Sequence, residues 1–283
     1  MITSLSNKSV REVVLLNQKA KARNKQGLFV VEGPKMFAEA PEERITRVYI
    51  AQRAEKELRE VYGEKLDRVF CEVVADPVFD KMSDTKTPQG ILTLVKQYHY
   101  RLEELLAGRQ KRIYVSGSSG KRVGMAGGGQ AKKPLFLVLE DIQDPGNLGT
   151  IFRTGEAVGV DGILMSSRTV DVYNPKTIRS TMGSVYRVPF VYVENICETI
   201  RILQKNNICV YAAHLDGKED YDACDYHKGT AFLIGNEGNG LREETAACAE
   251  KHIVIPMEGS VESLNAATAS TVLLYEAYRQ RRS

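Results

Sequence analysis

Short apolar runs, each closed by a polar or glycine-containing stretch, recur along the chain, with helical patterns between them. In the first hundred residues Leu28–Val31, Arg47–Ala51, Arg68–Val74 and Ile91–Val95 read as strands. The stretches Lys35–Ala40, Glu55–Tyr62 and Asp76–Lys81 read as helices between them. Ahead of these, residues 8–25 set Val10, Val13, Val14, Leu15 and Leu16 against Lys8, Arg11, Lys19, Lys21, Arg23 and Lys25. That pattern predicts one amphipathic helix with a basic outer face, ending near Asn24 or Gly27. From Pro134 the rhythm changes to fully apolar runs: Leu135–Leu139, Gly162–Met165, Val188–Val191, Ile208–Ala213, Ala231–Ile234 and Ile253–Ile255. Such runs suit parallel strands buried on both faces. Helices are predicted from about Thr150, over Glu198–Lys205, and from the small-residue run at Ala266 to about Arg279. The whole is α/β: a smaller N-terminal domain over residues 1–98 and a doubly wound parallel-sheet domain over 134–283.

Residues 99–133 interrupt this pattern. The stretches Ser116–Arg122 and Ala126–Gln130 are glycine-rich, basic and poor in core residues, as a flexible linker is. A phosphate-binding P-loop at Gly120-Lys121 is excluded. Its first glycine would fall on Val115, Arg122 stands where Ser or Thr should bind magnesium, and no strong helix follows. Composition places the chain among ordinary globular proteins, with 43% hydrophobic and 27% charged residues. A formal net charge of only +3 means that bulk charge does not announce a polyanion partner, so the placement of charge matters more. Cys71, Cys197, Cys209, Cys224 and Cys248 are odd in number and lack CxxC spacing, which argues for reduced, mostly buried thiols and against a zinc site. The start has no apolar targeting core and no run approaches a membrane span, so a cytoplasmic location is expected.

The candidate chemistry lies in three loops. One follows the strand at Leu135 and carries Asn147, with Arg153 on the helix beyond it. A second is Gly235-Asn236-Glu237-Gly238. The third runs from Pro256 to Asn265, where Pro256 ends a strand, Gly259 permits a sharp loop, and Ser263 and Asn265 precede a helix. A strand feeding a loop and then a helix start leaves backbone N–H groups facing a crevice, the usual ligand place in an open α/β sheet. No nucleophilic triad, metal spacing or dinucleotide fingerprint accompanies them. His99, His214, His227 and His252 are scattered. Backbone amides, amide side chains and one arginine suit a reaction in which a cofactor carries the chemistry.

These loops resemble the three signature motifs of the SpoU/TrmH family of S-adenosylmethionine-dependent RNA 2′-O-ribose methyltransferases, in the SPOUT superfamily. The matching stretches are Asp144–Thr154, Leu233–Leu241 and Ile255–Ala266, in the family's order. Val31-Glu32-Gly33 and Thr87-Pro88-Gln89-Gly90 resemble pieces of the ribosomal-protein-like substrate-binding domain often attached to that family. The resemblance implies a deep trefoil knot in the C-terminal domain and a homodimer. It implies S-adenosylmethionine held around Leu233, Gly235, Asn236, Gly238, Ile255, Met257, Ser263 and Leu264. It makes Arg153 the residue that meets the 2′-hydroxyl, with Asn147, Glu237, Ser263 and Asn265 fixing local geometry. A guanidinium holds its proton far above neutral pH and is a poor base, so a positional and electrostatic role is favoured and the proton acceptor stays open. With RNA as expected partner, Lys8, Arg11, Lys21, Arg23, Arg179, Ser180 and Arg187 become candidate RNA contacts. For the two arginines and the serine after the first motif, structural pairing is an equal reading. The attached domain tilts the substrate toward large-subunit ribosomal RNA. Transfer RNA, a base-methylating relative and a catalytically silent RNA-binding protein are the alternatives.

Overall fold

The computed structural model describes residues 1–107 and 133–282. The chain forms two compact units. One comprises Met1–Tyr98, Leu148–Arg153 and Val170–Arg187; the other comprises His99–Asn147, Thr154–Thr169 and Val188–Ser283.

The first unit holds a four-stranded sheet of β1 (Leu28–Glu32), β2 (Ile45–Ala51), β3 (Cys71–Val74) and β4 (Ile91–Lys96) in the order β1-β4-β2-β3. Strand β4 runs antiparallel to β1 and β2, and β2 pairs parallel with β3. Around it lie α1 (Lys8–Gln18), α2 (Ala20–Gln26), α3 (Pro34–Glu39), α4 (Glu55–Leu66) and α5 (Asp76–Met82). Alternate residues of each strand serve opposite faces. Tyr49, Leu92 and Leu94 pack with Val10, Val13 and Leu16 of α1 and Phe79 of α5, whereas Val48, Ile50 and Ile91 pack with Phe37 of α3 and Leu58 of α4. The single basic helix expected over residues 8–25 is two helices, because Lys19 is extended at φ −126°. Gly27, at φ 65°, closes the second in the left-handed conformation that glycine tolerates best. Helix α8 (Pro175–Thr181) also belongs to this unit.

The second unit is a seven-stranded, fully parallel sheet. Its strands are β5 (Leu135–Leu139), β6 (Gly162–Ser166), β7 (Phe190–Val193), β8 (Ile208–Ala213), β9 (Glu219–Asp220), β10 (Gly229–Ile234) and β11 (Lys251–Val254), in the order β7-β6-β5-β10-β8-β11-β9. The chain steps outward from β5 to β7, then returns to build the other half around β10. That reversal sets the C-terminal ends of β5, β10, β8 and β11 side by side, with Ile234 opposite Leu139 and Ile253 opposite Ala213. Helices α9 (Ile196–Lys205), α10 (Glu243–Ala246) and α11 (Ala266–Arg281) complete the unit. Ile196, Ile200 and Leu203 of α9 pack on Val138, Val210 and Leu233.

Three expectations change here. Helix α7 (Pro145–Val158) begins well before Thr150, because the Asp144 carboxylate accepts from the Asn147 N–H at 2.9 Å and Pro145 occupies the first helical position. Within the segment taken as linker, Leu102–Ala107 form α6, whose Leu102 and Leu105 are buried in the second unit's core. Residues 108–132, with the glycine-rich stretch and the excluded P-loop, lie outside the described residues. The cysteines are not all reduced and mostly buried: Cys197 and Cys248 form a disulfide, Cys71 and Cys209 are half-buried, and Cys224 is buried. No helix among the described residues is long and apolar enough to cross a membrane.

One buried carboxylate holds the second unit's loops in register. Glu140, 1% exposed, follows β5. It accepts from the Arg242 backbone N–H at 2.8 Å and the Thr245 hydroxyl at 2.6 Å, and pairs with the Arg242 guanidinium at 2.6 Å. It therefore caps α10 from a neighbouring strand end. Glu140→Ala removes the acceptor for both groups and is expected to cost about 3 kcal/mol. Urea unfolding at neutral pH checks this, read as a lower midpoint with unchanged slope.

Candidate active site

The loops after β8, β10 and β11 enclose a cavity of about 330 Å³, within the size range of small-molecule sites. Every residue from Ile234 to Leu241 lines it, together with Ala213–Asp216 at and beyond the end of β8, Ile253–Ile255 at the end of β11, and Met257, Ser263 and Leu264 of the third loop. The second loop can do this because of Gly235. A Cβ there would overlap the Gly240 carbonyl carbon and the Leu241 nitrogen. Asn236 and Gly240 exchange backbone hydrogen bonds at 3.0 and 2.9 Å, and Gly240 sits at φ 66°. The Asn236 side chain accepts from the Gly238 and Asn239 N–H groups and donates to the Asp141 carbonyl at 2.7 Å. The loop is thus a pinned turn whose backbone faces the cavity.

A chain of hydrogen bonds ties the three loops together. The Glu237 carboxylate accepts from the N–H groups of Gln143 and Asp144 and from the Asn147 amide, each at 3.0 Å. The Asn147 side-chain oxygen Oδ1 accepts from the Asn265 side-chain amide at 2.9 Å. Asn265 then caps α11, accepting from the Ala267 and Thr268 N–H groups. Burial alone pushes the Glu237 carboxyl up. The donors from Asn147, Gln143 and Asp144 together outweigh it, and the group lies below its ordinary range. A carboxyl whose folded pKa is depressed stabilises above its unfolded value, about 4.3, and loses that contribution as pH falls through the folded value. The melting-temperature gap between the wild type and Glu237→Gln is therefore expected to be full near neutrality and to close below about pH 4. Thermal melts across that range check it, and a pH-independent gap would contradict it.

The expected site residues divide. Asn147, Glu237 and Asn265 are joined directly. Gly235, Asn236, Gly238, Ile255, Met257, Ser263 and Leu264 line the cavity. Leu233 does not: it is fully buried within β10, paired with Val138 and Ala212, and Ile234 takes the cavity position. Arg153 is exposed on α7 and is not a lining residue. His214, one of the four scattered histidines, lines the cavity with Leu215 and Asp216, outside the three motif loops. Their sequence signal is the loop after β8 ending at Gly217, where a Cβ would overlap the Ile253 backbone.

Among the candidate RNA contacts, Lys8, Arg11 and Lys21 are exposed, although Arg11 also donates to the Ser6 carbonyl at 2.6 Å. Arg23 is only 3% exposed; its guanidinium pairs with Asp171 at 2.6 Å and donates to the Leu16 carbonyl. It is a structural residue, not a surface contact. Arg179 pairs with Asp84 at 2.9 Å and Arg187 with Glu39 at 2.8 Å. The Ser180 hydroxyl donates to the Lys176 carbonyl.

Three hydrogen-bonded loops thus stand at the strand ends of a parallel sheet, and two of them line a cavity. The model of the SpoU rRNA methylase family matches residues 134–275. The chain belongs to that family. The model of the MRM3-like substrate-binding domain matches residues 7–93. The chain is 27% identical over 274 residues to the 23S rRNA (guanosine(2553)-2′-O)-methyltransferase RlmP of Bacillus subtilis, covering 97% of each. Among solved structures, the SpoU methyltransferase AviRb of Streptomyces viridochromogenes in complex with AdoMet is 26% identical, with a TM-score of 0.81, over 98% of this chain and 99% of that one. The AdoMet-bound rRNA methyltransferase of Sinorhizobium meliloti is 29% identical, with a TM-score of 0.78, over 98% and 97%. Both of those structures carry AdoMet.

Proposed function

We propose that this SpoU-family chain transfers the methyl group of S-adenosylmethionine to a ribose 2′-hydroxyl of structured RNA, with large-subunit ribosomal RNA as substrate. The observation that carries the reading is the Glu237–Asn147–Asn265 chain, which ties the first motif loop to the two motif loops that line the cavity. The cavity's fit to the cofactor is supported by the tight Gly235–Leu241 turn that forms one wall and by the apolar stretch Ile253–Ile255 beside it. When bound, S-adenosylmethionine supplies an electrophilic methyl on a sulfonium.

The protein's part is orientation and charge. Gly235, Asn236, Gly238, Ile255, Met257, Ser263 and Leu264 hold the cofactor. Asn147, Glu237 and Asn265 set the loop geometry, and Arg153 stabilises the alkoxide that develops on the ribose oxygen. As a guanidinium it does not take the proton. The N-terminal domain, residues 1–98, binds RNA, and exposed Lys8, Arg11 and Lys21 supply phosphate contacts. The chain works as a homodimer, a reading supported by Tyr275 and Tyr278, exposed at 48% and 38% on the last helix.

The deciding experiment incubates the protein with labelled S-adenosylmethionine and ribosomal or transfer RNA, then digests the RNA to nucleosides. Ribose-methylated nucleoside from ribosomal RNA is the expected product. Base-methylated nucleoside, or label in neither RNA despite tight cofactor binding, would overturn the reading.

A further inference from the structure

Cys197 and Cys248 are 51 residues apart in sequence, with Cα atoms 5.7 Å apart, inside the span a disulfide bridges. Both are half-buried. Cys197 lies in the first turn of α9, behind the Asn195 cap, and a helix N-terminus favours a thiolate. In the disulfide the two sulfurs lie near one backbone oxygen. The Glu244 carbonyl oxygen lies 3.5 Å from the Cys197 sulfur and 3.2 Å from that of Cys248. The other cysteines are less reactive, since burial pushes the Cys71 thiol up to about 11 and raises Cys209 and Cys224.

The segment that Cys248 anchors joins two walls of the cavity. Leu241 lines the cavity just before α10, and Ile253–Ile255 line it shortly after Cys248. Between them, Arg242 and Thr245 grip Glu140 at the end of β5, and the Cys248 carbonyl accepts from the Gln204 amide of α9 at 2.9 Å. Pinning α10 to α9 therefore restrains both walls at once.

We propose that Cys197 and Cys248 are a reversible thiol–disulfide site whose closure steadies the α10 segment and tightens the cofactor cavity. The coupling rests on the reading of that cavity as the S-adenosylmethionine site. Closure proceeds by exchange with a small disulfide of the glutathione class. The Cys197 thiolate attacks one sulfur of that disulfide, breaking its S–S bond and releasing one small thiolate. The Cys248 thiolate then attacks the Cys197 sulfur of the mixed disulfide and releases the second. Two protein thiols are oxidised and one small disulfide is reduced to two thiols.

The test equilibrates the full-length protein with reduced or oxidised glutathione, counts free thiols by alkylation and mass, and titrates each form with S-adenosylmethionine by calorimetry. Oxidation should remove two thiols, mapped to these positions, and strengthen cofactor binding by at least about fivefold, the low end of couplings between linked sites. Cys197→Ser and Cys248→Ser should bind like the reduced wild type and ignore glutathione. Failure of the pair to close, or closure with affinity unchanged, would overturn the proposal. Absence of cofactor binding in both forms would instead sink the cofactor reading, and this coupling with it.

Discussion

Arg153→Ala is expected to slow methyl transfer by about 10²–10³-fold while leaving S-adenosylmethionine affinity within about twofold. The separation follows from where the residue sits. Arg153 is exposed on α7, outside the residues that line the cavity, and its guanidinium makes no hydrogen bond or ion pair with another described residue. Removing it leaves no buried partner unsatisfied, so neither the fold nor the cofactor wall should respond. What is lost is a fixed positive charge for an oxygen that becomes negative only as the methyl group departs the sulfonium. Arg153→Lys should recover part of the rate, since it keeps charge but loses the planar fork. Single-turnover rates at saturating RNA, set beside calorimetric cofactor titrations, make the check. Parallel loss of rate and cofactor affinity would place Arg153 in the cavity wall instead.

Much of the scaffold could be read in advance because strands such as Leu135–Leu139 are apolar at every position, a pattern that needs no distant partner to interpret. The motif loops were legible for a related reason: glycine, asparagine and proline mark backbone positions by local sterics. What escaped depends on contacts remote in sequence. Arg23 shares its helical face pattern with exposed lysines, and only Asp171, 148 residues away, turns it into a buried ion pair. Cys197 and Cys248 have no telling spacing and meet only once α9 and α10 pack. The start of α7 was local but disguised. Asp144-Pro145 is a helix-start signature, yet it stands in a polar run that reads equally as a turn. Leu233 lies buried in β10 while Ile234 lines the cavity, because an apolar run does not reveal which of its residues reaches the strand end.

The second large effect belongs to Gly235, where replacement by alanine is expected to weaken S-adenosylmethionine binding by about 100-fold, or roughly 2.7 kcal/mol. The added methyl would overlap the Gly240 carbonyl carbon and the Leu241 nitrogen. These are backbone atoms, so no side-chain rotation relieves the clash. The turn cannot simply swing outward either: Asn236 and Gly240 are hydrogen-bonded to each other in both directions, and Leu241 is buried in the core of the sheet unit. The segment from Ile234 to Leu241 must therefore shift as a block, and that block is a continuous wall of the cavity. Gly238 supplies the control. It lies in the same loop and lines the same cavity, but a Cβ there meets only the Asn236 Oδ1 at 3.6 Å, an ordinary contact. Gly238→Ala should therefore lose about tenfold less affinity than Gly235→Ala, since its methyl forces no movement of the protein wall. Calorimetric titration of the two variants, each first shown to melt cooperatively, separates steric exclusion from general loop damage. Equal losses at both positions would mean that the clash at Gly235 is not what governs the cavity.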